Sequence, residues 1–215
     1  MSWVTNALSV VVLGVMGFRL ASGVRVAKSS SGRALIRTVW HRIGWRHIWP
    51  IPVVLTAVVI TATLLIQIPG LRWGWWQAIG GEGNPVFGSS EATAGTWWET
   101  AIPLVFITML MLALPLFANA EERMFRRDAE HWSTSRRAYK IVSFGLVHAL
   151  VGIPIGAAIA LSWGGLYFMI VYLRQFRVNQ SATEATLEAT AAHTAYNAVI
   201  ISIVVIGVAL GAVIS

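Results

Sequence analysis

Residues 101–127 read AIPLVFITMLMLALPLFANAEERMFRR. From Ala101 to Ala120 there is no charged side chain, and the run matches the ~20 residues that a membrane-spanning helix requires. It ends abruptly in Glu121 and Glu122, with Arg123, Arg126 and Arg127 close behind. Arginines are what the inner headgroup boundary of a membrane attracts. Carboxylates are not, because an ionised acid at the edge of the hydrocarbon is expensive unless it has a task.

The rest of the chain is of the same kind. Its 215 residues are 56% hydrophobic and 12% charged, with a mean hydropathy of +0.68, far more apolar than a soluble domain. Apolar runs at Trp3–Leu20, Pro50–Ile68, Ala101–Ala120, Ile141–Ala160, Leu161–Leu173 and Ala189–Ile214 predict an all-α, polytopic membrane helix bundle of about six spans. The fourth and fifth are separated only by a tight connection near Ser162-Trp163-Gly164-Gly165. The whole chain, 1–215, reads as a single integral membrane domain. The first run lacks a basic leader, and its bases Arg19, Arg25 and Lys28 come at or after its end, so it reads as an uncleaved helix with its N-terminus outside.

Loop charges set the orientation. Arg25, Lys28, Arg33, Arg37, Arg42 and Arg46 follow the first run without an acid, which places that loop in the cytoplasm. The loop from Pro69 to Thr100 has Arg72 against Glu82, Glu91 and Glu99. It also holds Trp73, Trp75, Trp76, Trp97 and Trp98, an outer loop beside an interfacial aromatic belt. Arg123, Arg126, Arg127, Arg136, Arg137 and Lys140 return to the inside, as do Arg174 and Arg177. The alternation predicts an N-out, C-out protein of the cell membrane. The segment Arg33–Trp49 fits an amphipathic helix on the inner leaflet as readily as an ordinary basic loop. The net charge of +7 sits beside apolar runs, so it favours anionic lipid over nucleic acid. With no cysteine, disulfides and thiol chemistry are excluded.

Polar residues within or at the ends of the spans are functional candidates by default. Glu121 stands about 8 Å inward of Arg126, His148 about 12 Å inward of Lys140, and His193 and Asn197 about 8 and 14 Å inward of Glu188, at a helical rise of ~1.5 Å per residue. His193 and Asn197 are four apart and share a helix face. Glu122 and Arg126 form an i, i+4 pair with the acid first, an ordinary helix-stabilising arrangement that explains them without function about as well as with it. A lone membrane histidine is often an interhelical hydrogen-bonding residue. Glu121 has Phe125 four residues on, and no such structural reason.

Glu121-Glu122-x-x-x-Arg126, Phe144-x-x-x-His148 and His193-x-x-x-Asn197, in this order and spread over 101–214, form a pattern that resembles the CPBP family of intramembrane glutamic proteases. That family, also called Abi or CAAX-protease-like, includes the Rce-type prenyl-protein endopeptidases. The resemblance implies a peptide or protein substrate at the membrane, an active site open to the cytoplasm and no cofactor. It implies that Glu121, helped by His148, activates water, and that His193 and Asn197 stabilise the oxyanion. Glu122, Arg126 and Phe144 would support them. Other readings remain open: a non-catalytic immunity or scaffolding protein of the same fold, a proton-coupled transporter, or a zinc protease on His148, His193 and Glu121. The last lacks a His-Glu-x-x-His motif, and the transporter lacks polar groups in the outer half of the spans.

Overall fold

The computed structural model describes residues 3–78 and 98–214, and within them it is all-helical. α1 (Trp3–Lys28) ends in Arg25 and Lys28, bases that suit the negative end of a helix dipole. α2 (Ser30–Arg42) starts at Ser29, whose Oγ accepts from the Gly32 N–H at 3.0 Å. The helical part of the Arg33–Trp49 segment is therefore α2 and the one-turn α3 (Trp45–Ile48). α4 (Ile51–Leu65) follows almost directly, with Pro in its first turn where no N–H is missed.

The turn after α4 is stitched to a second turn further along the chain. Ile155 N–H donates to the Trp73 carbonyl at 3.0 Å, Gly156 N–H to Leu71 at 2.7 Å, and the Trp75 indole to Leu150 at 3.1 Å. Trp73 is exposed, as expected of an interfacial residue, whereas Trp75 is buried. After α5 (Trp75–Ala78), residues 79–97, with Glu82, Glu91 and Trp97 of the expected outer loop, lie outside the described residues.

α6 (Trp98–Phe125) contains the third expected span and carries Glu121 and Glu122 in its last turns. A 3-10 turn (Ala129–His131) leads to α7 (Thr134–Leu146), capped by Ser133. Here the expected fourth span, Ile141–Ala160, does not form. The chain passes into a 3-10 turn (Val147–Val151), reverses at Gly152-Ile153-Pro154, and only then enters α8 (Ile155–Ala160). Gly152 has φ 88°, which a side chain would resist. Pro154 has no N–H to give a helix and disfavours helical geometry at the residue before it. His148, expected inside a membrane helix, sits in the 3-10 turn instead.

The connection expected at Ser162–Gly165 is likewise absent, since those residues begin α9 (Ser162–Asn179) after a kink at Leu161. Gln180, with φ 51°, and Ser181 turn the chain into α10 (Ala182–Ile214), which starts seven residues before the expected Ala189. Among the described residues three stretches are long and apolar enough to cross a membrane: Trp45–Leu65, Ile155–Asn179 and Ala182–Ile206. That is the mark of an integral membrane protein.

α10 packs mainly on α9 and α6. Its buried Ala185, Ala189, Ala192 and Ala195 allow close approach, as small residues do between membrane helices. The central core is aromatic: Phe125, Phe144, Tyr167, Phe168 and Tyr196, with Ile51.

Candidate active site

The site is built where α6, α7, α9 and α10 meet. α6 delivers Glu122 fully buried, and the turn after it delivers Arg126, also buried. Arg126 Nη1 donates to Glu122 Oε1 at 2.7 Å and Nη2 to the Gly165 carbonyl at 3.4 Å. The guanidinium lies 4.2 Å over the Phe144 ring and 5.3 Å from that of Phe168, within cation–π range. Burial pushes the Arg126 guanidinium below its ordinary value, while Glu122 and then Glu121 draw it back up. Arginine starts so far above neutrality that it remains charged.

A glycine makes this seat possible. A Cβ on Gly165 would come within 2.9 Å of the Ile141 carbonyl oxygen and 3.0 Å of the Phe144 ring. Its absence lets α7 cross α9 closely enough for Phe144 to cover the guanidinium.

His193 reaches the same carboxylate from α10, 71 residues away in sequence: its Nδ1 is 2.8 Å from Glu122 Oε1. As an anionic acceptor, Glu122 sets the ring so that Nδ1–H donates. Phe168 stacks on the imidazole at 4.4 Å, and Phe144 meets it edge-on at 5.4 Å. The other ring nitrogen, Nε2, is turned to Glu121 Oε2 at 3.8 Å, beyond hydrogen-bond reach. Glu121 is part-exposed, yet its Oε2 is buried with no hydrogen-bond partner among the described residues, and so is Glu122 Oε2.

Thus Glu121, Glu122, Arg126, Phe144 and His193 come together. His148 joins through Phe144, ring on ring at 5.1 Å, and its Nδ1 donates to the Phe144 carbonyl at 2.8 Å. This leaves Nε2 as the lone-pair nitrogen. No hydrogen bond among the described residues ties His148 to Glu121. Asn197 is half-buried one turn beyond His193, also without a hydrogen bond among the described residues. Nor are any three His, Asp or Glu side chains among them grouped as a metal-ligand set.

Two features escape a reading of the sequence. Phe168 and the Gly165 carbonyl complete the site from α9, signalled at most by the Gly164-Gly165 pair in an aromatic helix. A second buried network joins His47 of α3 to Glu188 of α10 at 2.9 Å, with Arg46 Nε also 2.9 Å from that carboxylate. Its one sequence signal is Glu184 and Glu188, like charges four apart that call for basic partners. Comparison with family models, with curated proteins and with solved structures finds no match for this chain.

Proposed function

We propose that the protein is an intramembrane glutamic endopeptidase of the CPBP type, hydrolysing a peptide bond near the cytoplasmic face of the cell membrane. In this reading the bundle has six spans with both termini outside, the fourth being the stretch 134–151, which ends beside Trp75, and not the expected Ile141–Ala160. The observation that carries it is the meeting of Glu121, Glu122 and His193, with one imidazole nitrogen held and the other turned to a carboxylate oxygen that has no hydrogen-bond partner among the described residues. An atom so buried is costly unless it works.

Glu121 would take a proton from a water as its oxygen attacks the peptide carbonyl, with His148 Nε2 assisting. The carbonyl oxygen becomes an oxyanion that accepts hydrogen bonds from the Asn197 amide N–H and, when both ring nitrogens carry a proton, from His193 Nε2–H. On collapse the C–N bond breaks and the leaving amine takes the proton from Glu121. Glu122 and Arg126 hold the His193 ring in place throughout.

The test is a proteomic comparison of membranes carrying wild type and Glu121→Gln. Membrane peptides that persist uncut only in the variant support the reading and identify the substrate. Identical profiles, or an unaltered biological activity of Glu121→Gln, would favour a non-catalytic immunity or scaffolding protein instead. Stoichiometric zinc in purified protein would sink the glutamic mechanism.

A further inference from the structure

The polar face of α10 extends past the candidate active site. Thr183, Thr186, Thr190, His193 and Asn197 are spaced three, four, three and four residues apart, so they form one row on the helix. Asn119 of α6 donates to Thr190 at 3.2 Å midway along this row. Towards the start of α10 the row opens into a cavity of about 270 Å³ between α2, α6 and α10. Its polar walls include Asn119, Thr183 and Thr186, with Leu35 on an apolar side, and Arg123 and Arg127 reach it from α6 and the turn that follows.

These two arginines contrast with three others. Arg42, Arg46 and Arg126 each pair with a glutamate. Neither the Arg123 nor the Arg127 side chain has an ion-pair or hydrogen-bond partner among the described residues, although both line one cavity. Both are exposed, so water screens part of their mutual repulsion, and an anion seated between them would remove the rest. Two forked guanidiniums and the Thr183 hydroxyl suit the several acceptor oxygens of a phosphate better than the two of a carboxylate, whereas the Thr186 hydroxyl is already donated to the Ala182 carbonyl at 2.7 Å. The volume falls just under the ~300–1,000 Å³ of pockets that enclose whole small molecules, so it fits one ionic group of a larger one.

We propose that this cavity is a phosphate-binding site, taking the phosphate of an anionic phospholipid or free phosphate. It lies about 10 Å along α10 from His193, at ~1.5 Å per residue from Thr186. It does not depend on the reaction assigned to the active site.

The experiment uses the full chain in phosphatidylcholine nanodiscs, titrated either with inorganic phosphate or by doping with phosphatidic acid, and reads bound phosphate by native mass spectrometry. Wild type should retain the ligand, and Arg123→Gln/Arg127→Gln should lose affinity by about tenfold or more, as expected for loss of charge-assisted hydrogen bonds. Retention of phosphatidic acid alone identifies a lipid as the source, and equal competition by inorganic phosphate identifies free phosphate. Arg174→Gln/Arg177→Gln removes the same charge elsewhere and should bind as wild type. If it weakens binding equally, or if Arg123→Gln/Arg127→Gln binds as wild type, the site is overturned.

Discussion

Two histidines of this protein are buried against glutamates on or beside α10, and they are not alike. His47 is saturated: Nδ1 accepts from the Gly44 N–H at 3.2 Å, Nε2–H donates to Glu188 Oε1 at 2.9 Å, and its carbonyl accepts from Tyr167 at 2.9 Å. Glu188 is saturated too, with Arg46 on both oxygens at 2.9 and 3.2 Å. The loose end there is a guanidinium nitrogen, Arg42 Nη1, and not an atom of the histidine or its carboxylate. His193, five residues further along α10, is held at one nitrogen only, and the carboxylates around it leave Glu121 Oε2 and Glu122 Oε2 without hydrogen bonds among the described residues. A saturated network fastens α2 and α3 onto α10. An unsaturated one retains donors and acceptors for something that passes through.

The sharpest way to break this contrast is Glu121→Gln. If Glu121 is the general base proposed, its loss lowers the cleavage rate by about 100- to 10,000-fold, while the melting temperature stays near wild type because the Glu121 side chain makes no hydrogen bond among the described residues. A cleavage rate equal to wild type would remove the distinction between the two sites. Next comes Arg126→Met, which leaves Glu122 buried without its counter-charge at a cost of about 3–5 kcal/mol, read as a lowered unfolding midpoint. Glu122→Gln should behave similarly from the other side, because Glu122 is as deeply buried as its partner. An unchanged midpoint for both would mean that the pair is not the structural base of the site. Asn197→Ala should reduce turnover by about 100- to 1,000-fold if its amide serves the oxyanion, with thermal stability little altered. A full rate in that variant would leave His193 as the only oxyanion donor proposed.

Much of the His193 side of this contrast is legible in the sequence. Glu122 and Arg126 are a local i, i+4 pair, and the structure closes it at 2.7 Å. The His193–Asn197 spacing likewise predicts a shared face. The break at Gly152-Ile153-Pro154 escapes the sequence reading, because the apolar run around it outweighs a glycine and a proline when hydropathy is read in long windows. What stays hidden is tertiary. Phe168 and Gly165 matter only because α7 crosses α9 at a glycine, and His47 meets Glu188 across 141 residues. Arg42 and Arg46 illustrate the limit: charge counting assigns them to lipid, whereas they pair with Glu184 and Glu188.

The mildest prediction comes from that second network. Glu188→Gln keeps the shape and an oxygen to accept from His47 Nε2–H, but removes the charge that Arg46 and Arg42 share. Both arginines reach solvent, Arg46 with two thirds of its side chain exposed, so water can compensate part of the loss. The expected cost is about 1–2 kcal/mol, seen as an earlier thermal transition with the activity per folded molecule retained. The opposite pattern, cleavage lost with the transition unmoved, would make Glu188 part of the chemistry. The α2–α3 clamp and the His193 cluster would then be one connected site along α10, and the saturation of His47 would no longer distinguish scaffold from function.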